Sequence, residues 1–303
     1  LNPNGNVFTF TSGDIYLVGT GEISATGTVR TRNSVGIFTD PTSKFNAALN
    51  VNTGTTIAND DGSPFTGRLY GNVTIDAGAI LNGGQASSRG LWIYGNIVNN
   101  GTLTASSSGG FLRIKGSSLV NNGTLTTAGA IYFDTTTALS GTGTFTPAVT
   151  SIYGNVTLGN SITYTPGSYI DMHNSAILNP NGYTFTLTSG SLYLNNTSET
   201  SASGTVRTQN NISILTDPLA KFKAALNVNT GTTYAYDQDS PYTTKLYGNV
   251  TIDAGATLNG GAISGRNLWI YGNVVNNGTL TASSINGYLV FKGASFVNNG
   301  LGN

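Results

Sequence analysis

One histidine and 13 acidic against 13 basic side chains, in 303 residues, leave few routes to acid–base chemistry. A Ser-His-Asp triad would have a single candidate base, His173. It follows Tyr169-Ile170-Asp171-Met172 at the end of a strand-like stretch, where an ordinary turn or surface histidine is expected. Polysaccharide lyases and hydrolases need clustered carboxylates, with Arg or Lys on the same face. Here Glu22, Asp40, Asp60, Asp76, Arg30, Lys44, Arg89 and Lys115 are spread along the chain. No cofactor-binding pattern is present, and the expectation is a non-enzyme.

Two stretches, Ile57 to Arg68 and Tyr234 to Tyr242, read as protruding loops, and loops on a rigid scaffold often carry function. Asp60 and Asp61 in one, and Asp237 and Asp239 in the other, are weak calcium candidates, because carboxylates with carbonyls suit that ion. The EF-hand order is missing, and a plain solvated loop is the simpler reading. Asp60, Phe65, Arg68, Tyr236, Asp237 and Tyr242 are the candidates for touching a partner. Trp92 and Trp269 would serve either as sugar platforms or as packing at a corner, the latter being the simpler reading. Asn-x-Thr triplets such as Asn72-Val73-Thr74 are expected by chance in so Asn- and Thr-rich a chain.

Composition narrows the classes further. Charged residues are 9% of the chain and the net charge is zero, so neither nucleic acid nor an anionic membrane is indicated. Cysteine is absent, which removes disulfides and thiolate metal sites. No apolar run approaches the ~18 residues of a membrane helix. Glycine alone contributes 41 residues, and with Asn, Thr and Ser it favours strands and turns over helix.

The chain is also written nearly twice. Residues 91–107, LWIYGNIVNNGTLTASS, return at 268–284 with Val274 in place of Ile97. Residue 178 repeats residue 1, an offset of 177, and no gap is needed through residues 123 and 300. Roughly 70% of the paired positions are identical, the signature of a repeat architecture. The repeat boundaries are therefore 1–177 and 178–303, the second copy being truncated. Both ends fall inside a unit, which suggests a longer array. Within a unit, strand openings such as Leu69-Tyr70-Gly71-Asn72 and Leu91-Trp92-Ile93-Tyr94 recur about eight times, roughly every 22 residues.

Each opening leads to a Gly- or Asn-rich turn and a second short strand. Apolar residues alternate with Thr or Asn, as in Val73-Thr74-Ile75, so one side is buried and the other exposed. A meander of hairpins does not explain a register near 22. The all-β solution that does is a right-handed parallel β-helix, with three short strands per coil and about 22 residues per coil. Like residues then stack on like. Asn72, Asp76, Asn100, Asn122, Asn155, Asn249, Asp253 and Asn277 are the expected turn and ladder positions. After Asp40-Pro41, Phe45, Ala47, Leu49 and Val51 alternate strictly, which predicts a turn followed by a strand.

The repeated Val-Asn-Asn-Gly-Thr-Leu and Tyr-Gly-Asn-Val rungs resemble bacterial β-helical surface proteins: autotransporter passenger domains and filamentous-haemagglutinin-like adhesins. The resemblance covers nearly the whole chain and implies an extracellular, cell-surface rod. Its partners would be copies of itself, end to end or side by side, and surface glycans. The expected function is a structural solenoid building a filament, stalk or adhesin rod. A glycan- or receptor-binding adhesin or viral-fibre module is the alternative. A β-helical polysaccharide enzyme or an ice-binding Thr face would each need a regularity that the scattered charges and uneven coils do not promise.

Overall fold

The structure, a computed structural model, describes residues 1–59, 66–237, 243–260, 265–282 and 286–302. Among them every regular element is a β-strand, and the strand pairings are parallel. The chain falls into two compact units, Leu1–Thr150 and Ser151–Asn303. Each unit is a β-solenoid.

In the first unit a coil lays down three short strands, one on each of three faces. The first face stacks Thr28–Thr31, Ala48–Val51, Val73–Ile75, Ile97–Asn99 and Ser118–Asn121. The second stacks Val35–Thr39, Thr55–Asn59, Ile80–Asn82 and Thr102–Ala105. The third stacks Thr66–Leu69, Gly90–Ile93 and Phe111–Ile114. Thr28 lies beside Ala48, Leu49 beside Val73 and Ile97 beside Leu119, steps of 20, 24 and 22 residues. The uneven coils of the sequence are thus real, and ladder register absorbs them at the corners. In the second unit the equivalent three faces recur, with Ala225–Val228, Val250–Ile252 and Val274–Asn276 on the first.

The core is a set of columns. Leu91, Leu112 and Ile131 stack in register, as do Ile93, Ile114 and Phe133, and all six are buried. Each such side chain contributes about 1.5–3 kcal/mol relative to exposure. The Asp40 region folds as a turn, with Ser43 N–H donating to Asp40 O at 3.1 Å. It leads into Lys44–Phe45 and then Ala48–Val51. Phe45, Ala47, Leu49 and Val51 are all buried, so the alternation runs through a corner between two strands rather than along one.

Corners also explain the recurring Tyr-Gly-Asn. A Cβ on Gly71 would lie 2.0 Å from Ala47 O, one on Gly95 2.1 Å from Gly71 O, and one on Gly116 2.1 Å from Gly95 O. Gly248, Gly272 and Gly293 repeat this column in the second unit. Each rung rests its backbone on the glycine of the next.

Candidate functional surface

The ladder positions do bond between rungs. Asn52 Nδ2 donates to Asp76 Oδ2 at 2.7 Å, and Asn229 Nδ2 to Asp253 Oδ2 at 2.8 Å. Asn72 Oδ1 accepts from Asn96 N–H at 2.9 Å, and Asn249 Oδ1 from Asn273 N–H at 3.0 Å. Asn122 Nδ2 donates to Asn100 Oδ1 at 3.0 Å, and Asn299 Nδ2 to Asn277 Oδ1 at 2.9 Å. Asn155 Oδ1 accepts from Ile177 N–H at 3.1 Å.

A second amide ladder runs inside, one residue earlier. Asn99 Nδ2 donates to Asn121 Oδ1 at 2.6 Å and to Thr124 O at 2.9 Å, and both asparagines are fully buried. Asn276 does the same toward Asn298 and Leu301. Buried threonine pairs accompany it: Thr31 with Thr56, and Thr208 with Thr233, each at 2.6 Å between hydroxyls. The signal for the inner ladder lies in strand parity. Ile97 points in and Val98 out, so Asn99 must point in.

On the third face an outward row places Arg68, Trp92, Arg113 and Tyr132 in register. The Arg68 guanidinium sits 5.3 Å from the Trp92 ring, Arg113 5.5 Å, and the Lys115 ammonium 4.7 Å. Asp134 takes Arg113 at 3.2 Å and Lys115 at 3.1 Å. Tyr70 and Tyr94 stack at 4.6 Å beside them. In the second unit Tyr247 and Tyr271 stack at 4.8 Å, and Lys292 lies 3.9 Å from the Trp269 ring. Burial, then the neighbouring phenol, pushes the Tyr94 hydroxyl above its ordinary range, and the same two causes act on Tyr247. The cations already use the tryptophan π-systems. Trp92 and Trp269 are therefore members of a stacked ladder.

The two expected loops are narrower than the sequence suggested. Ile57 and Asn59 belong to the strand Thr55–Asn59, and Arg68 to Thr66–Leu69. Arg68 N–H donates to Thr39 Oγ1 at 3.1 Å, and its guanidinium donates to Pro41 O. Tyr236 and Asp237 lie on Thr232–Asp237. Tyr236 carries the Arg266 guanidinium 5.2 Å from its ring, and Asp237 is fully buried rather than loop-borne. The alternation of Tyr234, Ala235, Tyr236 and Asp237 turns that carboxylate inward. Asp60, Asp61, Phe65, Asp239 and Tyr242 lie outside the described residues. Among the described residues no three His, Asp or Glu side chains converge as a metal site.

His173 belongs to an outward cluster on the second face of the second unit. Its ring stacks on Tyr153 at 4.3 Å and 4°. Its Nε2 lies 3.1 Å from Asp171 Oδ2. Asn195 Nδ2 donates to Asp171 Oδ1 from the next rung. Burial pushes the Asp171 carboxyl above its ordinary range, against His173 and Asn195, which pull it down; Asp217 adds a smaller push upward. Tyr169, Asp171, Tyr193 and Asn195 line an open, shallow hollow of about 220 Å³.

Neither protein-family models, nor curated proteins, nor solved structures match this chain.

Proposed function

We propose that this chain is a structural β-solenoid of the cell exterior, a rod segment that associates side by side with further copies of itself. The supporting observation is the unequal history of its three faces. Inward residues are held by packing, so their sameness between copies is uninformative. Outward residues are not. On the first face Thr28, Arg30, Ala48, Asn50, Thr74 and Val98 return unchanged as Thr205, Arg207, Ala225, Asn227, Thr251 and Val275, while Val7 becomes Thr184. On the second face Tyr16, Thr55 and Thr102 return as Tyr193, Thr232 and Thr279, but Asp14, Phe38, Ile57 and Ile80 become Ser191, Leu215, Tyr234 and Thr257. On the third, Trp92 and Tyr94 return as Trp269 and Tyr271, but Arg68, Phe111 and Arg113 become Lys245, Tyr288 and Val290.

Rung-to-rung bonding accounts for part of this sameness. Arg30 Nε donates to Asn50 Oδ1 at 2.9 Å, and Arg207 Nε to Asn227 Oδ1 at 2.8 Å. It does not account for Thr74, or for Val98 and Val275, which are each 37% exposed. A face of small residues, flanked by Arg30, Arg32 and Asp76 in one copy and by Arg207 and Asp253 in the other, carries little net charge, which suits an identical partner.

The test is assembly of the purified chain, followed by sedimentation and electron microscopy. Wild type is expected to associate laterally as concentration rises. Thr74→Arg with Thr251→Arg should abolish this, and Thr55→Arg with Thr232→Arg on the second face should not. A chain that stays monodisperse at all concentrations, or equal damage from both pairs, refutes the reading.

A further inference from the structure

We infer that the hollow formed by Tyr169, Asp171, Tyr193 and Asn195 is a binding subsite for a single neutral sugar ring. It is a further function, and it stands apart from the assembly reading, which concerns another face.

The first reason is the state of Asp171. Its side chain is 23% exposed, with His173 Nε2 3.1 Å from one carboxylate oxygen and the Asn195 amide on the other. The second reason is that Asn195 departs from the first copy. The equivalent position there is Val18, 69% exposed. An asparagine replaces an exposed apolar group and reaches across a rung to fix the carboxylate.

The third reason is the pair of rings. Tyr169 and Tyr193 meet at 84° with centroids 5.6 Å apart, edge against face. That contact closes one ring face and leaves an aromatic wall beside a fixed carboxylate and an amide. A quaternary ammonium needs a box of open ring faces, and here one of them is filled by its neighbour. A pyranose needs one apolar wall for its C–H face and adjacent acceptors and donors for its hydroxyls. Asp171 supplies acceptors, and Asn195 keeps a carbonyl and a second N–H beyond the bond it gives Asp171. The volume, about 220 Å³, is below the roughly 300–1,000 Å³ of drug-sized sites and suits one ring of a chain lying across the surface.

The experiment is ligand-observed saturation-transfer NMR and calorimetry with methyl glycosides of glucose, galactose, mannose and N-acetylglucosamine, their β-linked tetramers, and choline. At least one glycoside should bind, with its ring protons saturated by tyrosine. Tyr193→Ala and Asp171→Ala should each weaken it about tenfold or more, the scale of losing one aromatic or charge-assisted contact. Tyr16→Ala, at the equivalent place in the first copy, should leave it unchanged. Asp171→Asn preserves size and checks that any loss is not unfolding, with amide exchange of Tyr169–Met172 as the fold control. The inference is overturned if no glycoside binds, if choline alone binds, or if the Tyr193 and Asp171 variants retain full affinity while folded.

Discussion

Two glycines separate the structure's account of the corners from ordinary conformational preference. Gly95 lies outside the positive-φ residues, and an alanine there should on propensity alone stabilise the chain by about 0.4–1 kcal/mol through the unfolded state. Gly78 has φ +79°, so alanine there should cost about 1–2 kcal/mol. The packing reverses this order. Around Gly78 nothing lies within 4 Å of the added carbon. At Gly95 the added carbon falls 2.1 Å from Gly71 O and 2.6 Å from Asn72 N, both backbone. Against a floor of 3.0 Å for such contacts, the oxygen must retreat by about 0.9 Å. Two bonds tie that segment to the next rung: Val73 N–H to Asn96 O at 2.8 Å, and Asn96 N–H to Asn72 Oδ1 at 2.9 Å. Overpacking costs about 1–3 kcal/mol and each weakened bond about 1 kcal/mol, so Gly95→Ala should destabilise by about 3–4 kcal/mol. Urea midpoints of Gly95→Ala and Gly78→Ala measure the difference, and amide exchange at Val73 and Asn96 locates it. If Gly95→Ala is neutral, or milder than Gly78→Ala, the rungs do not rest on backbone contact as described.

Asn99→Leu should destabilise by about 2–4 kcal/mol, because the Asn121 carbonyl and Thr124 O lose their donor. Asn99→Leu with Asn121→Leu should cost less than the two singles together; additive urea midpoints would deny coupling. The Asp171 carboxyl has a raised folded-state value, so its stabilising contribution is complete below its ordinary value of 3.8 and is lost as pH rises through the folded one. The melting temperature of wild type relative to Asp171→Asn should therefore fall as pH rises from below 3.8, and a flat difference would contradict the burial. In alkaline absorbance titration Tyr94 and Tyr247 should ionise late, and Tyr70→Phe should bring Tyr94 earlier by removing its stacked phenol; an unmoved titration curve would count against that cause.

Much of this architecture is legible without coordinates. The doubled line, the period near 22 and the alternation of Val73-Thr74-Ile75 leave little besides stacked parallel coils. What the sequence hides is which neighbour a side chain meets on the next rung. Asp171 and Asn195 are 24 positions apart, but Arg30 and Asn50 are only 20. Coil length sets the pairing, and coil length varies. The glycine- and proline-bearing stretch around Asp60 reads as a long loop, although its flanks are strands: Asn59 and Asp237 already carry ladder geometry. The inner asparagines were readable from parity alone. Adjacent pairs such as Asn99-Asn100 conceal them, because the exposed member satisfies the expectation of a turn.

Near-identical rungs give a folding chain a problem of address. Val73 can find a comfortable apolar partner in almost any coil, so hydrophobic columns alone do not distinguish one stacking order from a neighbouring one. Asn99 and Asn121 do distinguish them. Moved by one coil toward the start of the column, the Asn99 amide would face Val51 and Ile75 and lose its asparagine partner. In the second copy Asn276 is equally buried and donates to Asn298, which is itself exposed. A buried polar pair that adds little to net stability thus acts as a line number in a text of repeated lines.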